Sequence, residues 1–277
     1  MKNGNSIVLS TIKDSPAEKA GVKAEDIITA VNGTSTLDME LEEVSNSVKG
    51  EEGTDVTITV YRDGEYLDFT MTRSQVKVYH VESKMLENNI GYISLFTFDE
   101  GCSDEFEANM DELINQGATK IIFDLRYNTG GIVDEALDII DLFVDKGDTT
   151  LIEMDGKGNE TVITSEKDKK YDVELVILTN EYTASSSEIV TGALVDNEVA
   201  TTVGTTTYGK GVIQNVYSLS DGSVLKLTTT EYYTPNRNKI NKVGIKPDYE
   251  VQLDENNVTE DGTIFDNQLE KAKEILK

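Results

Sequence analysis

One cysteine, Cys102, and one histidine, His80, are all that this 277-residue chain contains of either residue. A lone cysteine excludes an internal disulfide framework and any zinc site built from several thiolates. A lone histidine excludes every two-histidine metal motif. Basic residues are also scarce: 25 Lys and Arg stand against 52 Asp and Glu, a formal charge of −27. Binding to phosphate backbones depends on neutralisation by Lys and Arg, so nucleic acid is not an expected partner. Docking on an anionic membrane surface is disfavoured for the same reason. No run approaches the roughly 18 consecutive apolar residues that a membrane-crossing helix requires. Near the N-terminus the apolar run Ile7–Leu9 is too short for a secretory signal, and no small-residue cleavage site follows it. The expectation is either a cytoplasmic protein or a chain that starts downstream of its targeting segment.

What is present suffices for one large or two modest cores: 38% of residues are hydrophobic and 28% charged. Two regions separate near residue 75. In the first, Ser15-Pro16-Ala17-Glu18-Lys19-Ala20-Gly21 reads as a short helix with a serine N-cap, proline at its first position and glycine after its end. Asp26–Val31 reads as a strand closed by the turn Asn32-Gly33. Leu37, Leu41, Val44 and Val48 recur at helical spacing and predict a helix over 37–48. Val56, Ile58 and Val60 alternate with Thr57, Thr59 and Tyr61, a strand with one buried face, and Arg62-Asp63-Gly64 turns it into the run Tyr66–Met71. The second region alternates strand and helix: Ile90–Leu95, Ser103–Gln116, Lys120–Leu125, Val133–Val144, Val173–Leu178 and Glu188–Val195. That order predicts an α/β fold with a largely parallel sheet. Leu225–Thr230 and Tyr249–Leu253 add β character.

Three segments could carry chemistry. In Thr183-Ala184-Ser185-Ser186-Ser187-Glu188-Ile189, a strand runs through a small-residue turn into a helix. A serine at that point meets free backbone N–H groups and the positive end of the helix dipole, which favour developing negative charge. The same letters, Ser185-x-x-Glu188, also spell an ordinary capping box. Gly204 to Gly211 nearly matches a phosphate-binding loop, but Gly211 stands where the magnesium-binding hydroxyl belongs and a strand pattern follows. Lys210 in this segment is instead a lysine that could reach into a pocket. Asp124-Leu125-Arg126-Tyr127-Asn128-Thr129-Gly130-Gly131 joins a strand to a helix, and its glycine N–H groups could form half of an oxyanion hole. It is equally the glycine-rich turn that any α/β protein needs. Arg126 is expected to anchor this turn rather than touch a substrate. A serine nucleophile needs a base, and His80 lies outside any motif-like context. A lysine serves if burial brings its pKa from about 10.4 towards 7–8.

Taken together, Thr-Ala-Ser185-Ser-Ser-Glu-Ile, Tyr-Gly-Lys210-Gly-Val-Ile-Gln214 and Asp124-Leu-Arg-Tyr-Asn-Thr-Gly-Gly131 resemble the carboxyl-terminal processing proteases, also called tail-specific proteases. Ser15–Gly21, Asp26-Ile-Ile and Val31-Asn-Gly33 resemble that family's PDZ domain, and Val243-Gly-Ile-Lys-Pro-Asp248 its closing segment. The resemblance implies a PDZ domain over residues 1–75 and an α/β, crotonase-like serine protease core over 76–277. It implies Ser185 as nucleophile, Lys210 as general base and Gln214 as the residue orienting Lys210. Its oxyanion hole would use the Ser186 N–H with that of Gly130 or Gly131. It implies polypeptide substrates cut near their C-termini, no metal and no cofactor, and an extracytoplasmic setting for the full-length protein.

The chain departs from the family in two places. The family often has alanine where Ser186 stands, a change that leaves the backbone N–H in place. The PDZ likeness begins after the glycine-rich loop and strand that take up a substrate C-terminus by strand addition, so Met1–Gly4 implies an N-terminally incomplete domain. Other readings are a non-catalytic peptide- or ligand-binding protein on the same scaffold, and a crotonase-type enzyme acting on an acyl thioester. A Cys102–His80 pair has no local pattern in its favour, and both residues are expected to be structural. Substrate identity and assembly into a homo-oligomer stay open.

Overall fold

The computed structural model describes residues 6–8, 11–12, 14–76, 79–254 and 265–277. The reading of Met1–Gly4 therefore lies outside the described residues. The chain divides into two units, Met1–Tyr79 and His80–Lys277.

In the first unit the alternation in Asp55–Arg62 buries Val56, Ile58 and Val60. This strand pairs antiparallel with Glu65–Thr72 through a turn whose Asp63 and Gly64 both have positive φ, the primed geometry that suits strand twist. Ile27–Val31 lies on its other side and pairs in turn with Ser6–Ile7. The helix Pro16–Ala20 is capped as its letters predict: the Ser15 hydroxyl accepts the Glu18 N–H at 3.2 Å, and Gly21 is left-handed at φ 96°. Arg62 ties this helix end to the sheet. It donates to both Asp26 oxygens at 2.6 Å and to the Gly21 carbonyl at 2.8 Å. Those bonds hold the buried Asp26 carboxyl below its usual range. The predicted helix over 37–48 starts only at Leu41. Asp38 is left-handed at φ 71°, and Leu37 and Leu41 are exposed, so Val44 alone of the four spaced residues is buried.

The second unit is built on a six-stranded sheet in the order Tyr249–Glu250, Ala200–Gly204, Glu174–Thr179, Lys120–Asp124, Ile90–Leu95, Val81–Met85. All neighbours are parallel except the last pair. The central strands Ile90–Leu95, Lys120–Asp124 and Glu174–Thr179 are covered on both faces, which is why they read as near-continuous apolar runs. Ile121 and Phe123 point into the larger core with Phe106 and Ile139, from the helices Cys102–Asn115 and Val133–Asp141, and with Ile189 from the helix Ser186–Asp196. Ile122, one residue out of phase, packs on the opposite face with Val176, Leu178 and Ala272 of the C-terminal helix Asn267–Ile275. A separate antiparallel sheet has the order Glu160–Thr164, Thr149–Asp155, Val224–Tyr233, Val212–Ser218. No helix among the described residues is long and apolar enough to cross a membrane.

Arg126 locks the end of the Lys120–Asp124 strand to the C-terminal helix. Its guanidinium donates to Asp124 at 2.6 Å and to Asp266 at 2.7 Å, and Asp266 also caps the helix by accepting the Leu269 N–H at 2.9 Å. Burial alone would raise the Asp266 pKa, but the Arg126 bond and charge outweigh it and hold the carboxyl below its usual range. Asp266→Ala should therefore lower the stability of this unit by more than the ~1 kcal/mol typical of a lost N-cap. The loss should appear as a lower denaturation midpoint and as faster amide exchange in residues 265–277. In the parent, the Asp266 contribution is complete above the unfolded aspartate pKa of about 3.9 and disappears as pH falls through the lower folded value.

Candidate active site

The parallel strands Lys120–Asp124 and Glu174–Thr179 end side by side, and the loops that leave them are stitched together by buried polar groups. Asn180 accepts the N–H groups of Tyr127 at 2.9 Å and Tyr182 at 3.1 Å through one amide oxygen. The Thr183 hydroxyl donates to the Leu125 carbonyl at 2.8 Å. The Asn128 carbonyl receives the Ala184 N–H and the Ser187 hydroxyl, each at 3.0 Å. Buried polar atoms must find partners, and here each loop supplies them for the other.

Ser185 sits at the junction of turn and helix, half-buried, with φ 58° and ψ −121°. A non-glycine residue held in this region is uncommon and costs on the order of 1–3 kcal/mol. Ser186 begins the helix, is fully buried, and donates its hydroxyl to the Gly131 carbonyl at 2.9 Å. Gly130 packs directly on the serine: a Cβ there would stand 2.6 Å from Ser185 Cβ and 2.8 Å from the Ser186 nitrogen. Gly131, at φ 157°, has no room either, since its Cβ would meet the Phe98 carbonyl oxygen at 2.3 Å. The two glycines differ in their N–H groups. That of Gly130 donates to Asn128 Oδ1 at 2.9 Å, whereas that of Gly131 has no acceptor among the described residues. The Ser186 N–H, in the first helical turn, is likewise uncommitted. Two free donors thus flank Ser185.

Glu188 joins this turn to the Lys210 segment. Its carboxylate is fully buried and accepts the N–H groups of Ser185 at 3.0 Å, Gly209 at 2.8 Å and Lys210 at 2.8 Å, and the Thr207 hydroxyl at 2.6 Å. The capping box is therefore present, but its carboxylate also holds a chain segment distant in sequence. The letters identify Glu188 only as a cap, and the structure adds its hold on the Lys210 segment. Its signal in the sequence is a single carboxylate in a helix whose other residues from Ser186 to Val195 are small or apolar.

The structure brings Ser185, Ser186, Gly130 and Gly131 together and fixes the Lys210 backbone beside them. It does not bring the other side chains into register. Lys210 is exposed, and its amine bonds to no residue among those described. Gln214 is exposed on the strand Val212–Ser218, where its amide nitrogen contacts the Thr228 hydroxyl at 3.4 Å rather than Lys210. The near-match to a phosphate loop leads into that strand and not into a helix. Cys102 is fully buried, and His80 bonds Glu105 at 3.0 Å through Nδ1. Among the described residues no cluster of His, Cys, Asp and Glu could hold a metal.

Residues 89–251 match the family described as Peptidase family S41, and residues 7–62 match the PDZ domain. A relative from Staphylococcus aureus (strain COL), named "Probable CtpA-like serine protease", is 41% identical over 250 residues, which cover 89% of this chain and 50% of that protein. A Staphylococcus epidermidis protein of the same name is 38% identical over 252 residues, 90% of this chain and 51% of its own. The chain thus spans about half the length of the curated relatives it matches. Among solved structures, the photosystem II D1 C-terminal processing protease is similar with a TM-score of 0.58 and 30% identity, over 90% of this chain and 69% of that one.

Two outcomes follow from the packing. Gly130→Ala places a methyl group against Ser185 at φ 93°, and should cost at least about 2 kcal/mol in chemical denaturation. Gly156→Ala, with open space at its Cβ, should change stability by less than ~0.5 kcal/mol. Burial, with help from Glu135, pushes the Cys102 thiol up to about 12. Iodoacetamide at pH 8 should therefore leave the native protein unlabelled and modify Cys102 only after unfolding.

Proposed function

The chain belongs to Peptidase family S41, and we propose that it is a serine endopeptidase that cleaves polypeptides near their C-termini with Ser185 and Lys210. The observation that carries this reading is Ser185 itself, a strained serine at a strand-to-helix turn with two unclaimed N–H donors beside it. Strain of that kind is retained where the surroundings over-determine it, as they do at reactive residues.

In the proposed reaction the Ser185 hydroxyl attacks the scissile carbonyl while the neutral Lys210 amine takes its proton. The carbonyl oxygen becomes an oxyanion, which the Ser186 and Gly131 N–H groups stabilise. Gly130 serves by shape, since its own N–H is committed to Asn128. The tetrahedral intermediate collapses, the peptide C–N bond breaks, and the Lys210 ammonium protonates the departing amine. Lys210 then activates a water that hydrolyses the ester on Ser185. Gln214 has the orienting role towards Lys210. The PDZ unit contributes recognition of the polypeptide: an apolar cavity of about 380 Å³, lined by Val8, Ile12, Ala17, Val48 and Met71, suits apolar side chains. An extracytoplasmic setting for the whole protein is part of the same proposal.

A non-catalytic peptide-binding protein is the second reading. The observation in its favour is the Lys210 amine, which stands in solvent and is not bonded to Ser185. Incubation with unfolded casein, followed by mass spectrometry, separates the two. Cleavage by the parent should fall by roughly four to six orders of magnitude in Ser185→Ala and in Lys210→Ala, to background. Cleavage that persists in Ser185→Ala sinks the mechanism, and a silent parent favours the binding protein.

A further inference from the structure

Tyr232, on the strand Val224–Tyr233, is the largest almost wholly buried side chain among the described residues, at 1% exposure. A phenol hydroxyl pays heavily for burial unless it finds a partner. Here the partner is the Lys210 carbonyl, to which the Tyr232 hydroxyl donates. The Tyr232 N–H donates to the next carbonyl, that of Gly211, at 3.1 Å. Both polar groups of one buried residue therefore grip two consecutive peptide units of the lysine segment.

The grip meets another from the opposite direction. Glu188 holds the N–H groups of Gly209 and Lys210, each at 2.8 Å. The Lys210 residue is thus bonded at its N–H by one buried group and at its carbonyl by another, while its side chain stays exposed. Burial, and then the negative charge of Glu188, push the ionisation of the Tyr232 phenol well above its usual range, with the Ser185 hydroxyl acting in the opposite sense as a hydrogen-bond partner. The phenol stays a protonated donor across the working pH range. It also lies beside Ser185 as well as the Lys210 backbone.

We propose that Tyr232 is a positioning residue for the reaction: its hydroxyl fixes the Lys210 carbonyl and, with Glu188, sets the point from which the lysine stem reaches Ser185. This inference rests on the Ser185/Lys210 reading. Displacement of a reacting group by about 1 Å can cost on the order of a hundredfold in rate. A base on a long flexible stem gains most from a fixed origin.

Tyr232→Phe removes only the hydroxyl and keeps the ring that fills the core. It should lower kcat on unfolded casein at least tenfold with KM within twofold of the parent, and speed amide exchange across residues 207–213 alone. Tyr233→Phe is the control: its hydroxyl bonds Glu231 at 2.9 Å, away from Lys210, and it should leave kcat within twofold. The proposal is overturned if Tyr232→Phe keeps kcat within twofold, or if Tyr233→Phe loses as much. Unchanged exchange over 207–213 overturns it whether or not the chain turns over casein. Persistent cleavage in Ser185→Ala or Lys210→Ala is a different result, which removes the mechanism on which the inference rests.

Discussion

A carboxylate with no access to water must be surrounded by donors, because leaving it unpaired costs several kcal/mol. Glu188 meets that demand with three backbone N–H groups and one hydroxyl, and no cation. One donor belongs to the Ser185 turn, and the others come from the segment Thr207–Lys210. Satisfying a single buried charge therefore fixes the two segments relative to each other. The bonds also dictate residue types. Gly209 is left-handed at φ 85°, and a Cβ there would meet the Gly244 nitrogen at 2.9 Å. A Cβ on Gly211 would stand 2.3 Å from the Asn241 nitrogen. The glycines flanking Lys210, which give the segment its likeness to a phosphate loop, are there because backbone must approach backbone closely. Phosphate has no part in the explanation.

The same economy of donors distinguishes the two glycines of the Asp124–Gly131 turn. Asn128 uses its amide nitrogen on the Leu95 carbonyl and its amide oxygen on the Gly130 N–H, so it ties the turn to the neighbouring strand Ile90–Leu95 and closes it on its own glycine. Among the described residues the Gly131 N–H finds no acceptor, and it lies beside the start of the helix Ser186–Asp196. In a chain of net charge −27, a helix N-terminus and unpaired N–H groups make a local region that attracts negative charge. The overall charge sets solubility and long-range steering. Donors within the first few ångströms set what the turn can stabilise.

Much of this was legible in the letters. The helix Pro16–Ala20 was marked by its cap residues, the parallel sheet by its apolar runs, and the candidate serine by a small-residue turn between strand and helix. The failures have physical reasons. Leu37 and Leu41 fit a helical period, yet Asp38 takes a left-handed conformation and the helix begins after it. The strands Thr149–Asp155 and Glu160–Thr164 gave no signal because the latter is mostly exposed, so no apolar alternation marks the pair. The C-terminal helix went unread although Leu269 and Ala272 stand at helical spacing. Its anchor is Asp266 on Arg126, a contact across 140 positions that no local pattern contains. Glu188 failed differently. Its letters fit a cap, it is a cap, and the additional donors come from residues far along the chain.

Under the proposed reaction, Tyr232 and Glu188 together reduce what remains to be done for Lys210 to act as a base. With N–H and carbonyl both held by buried groups, the lysine backbone has little freedom left to lose. What remains is its stem, which carries about 2 kcal/mol of rotamer entropy, and the transfer of its amine out of water. A change of 1.4 kcal/mol shifts a population tenfold, so each contact that offsets these two costs raises the fraction of amine at the serine. Under the proposed reaction bound polypeptide supplies such contacts, whereas the Gln214 amide lies on the Thr228 hydroxyl in this structure. The fold thus holds the Ser185 turn, the two free N–H donors beside it and the Lys210 backbone through buried groups, and leaves the four-carbon Lys210 stem in solvent.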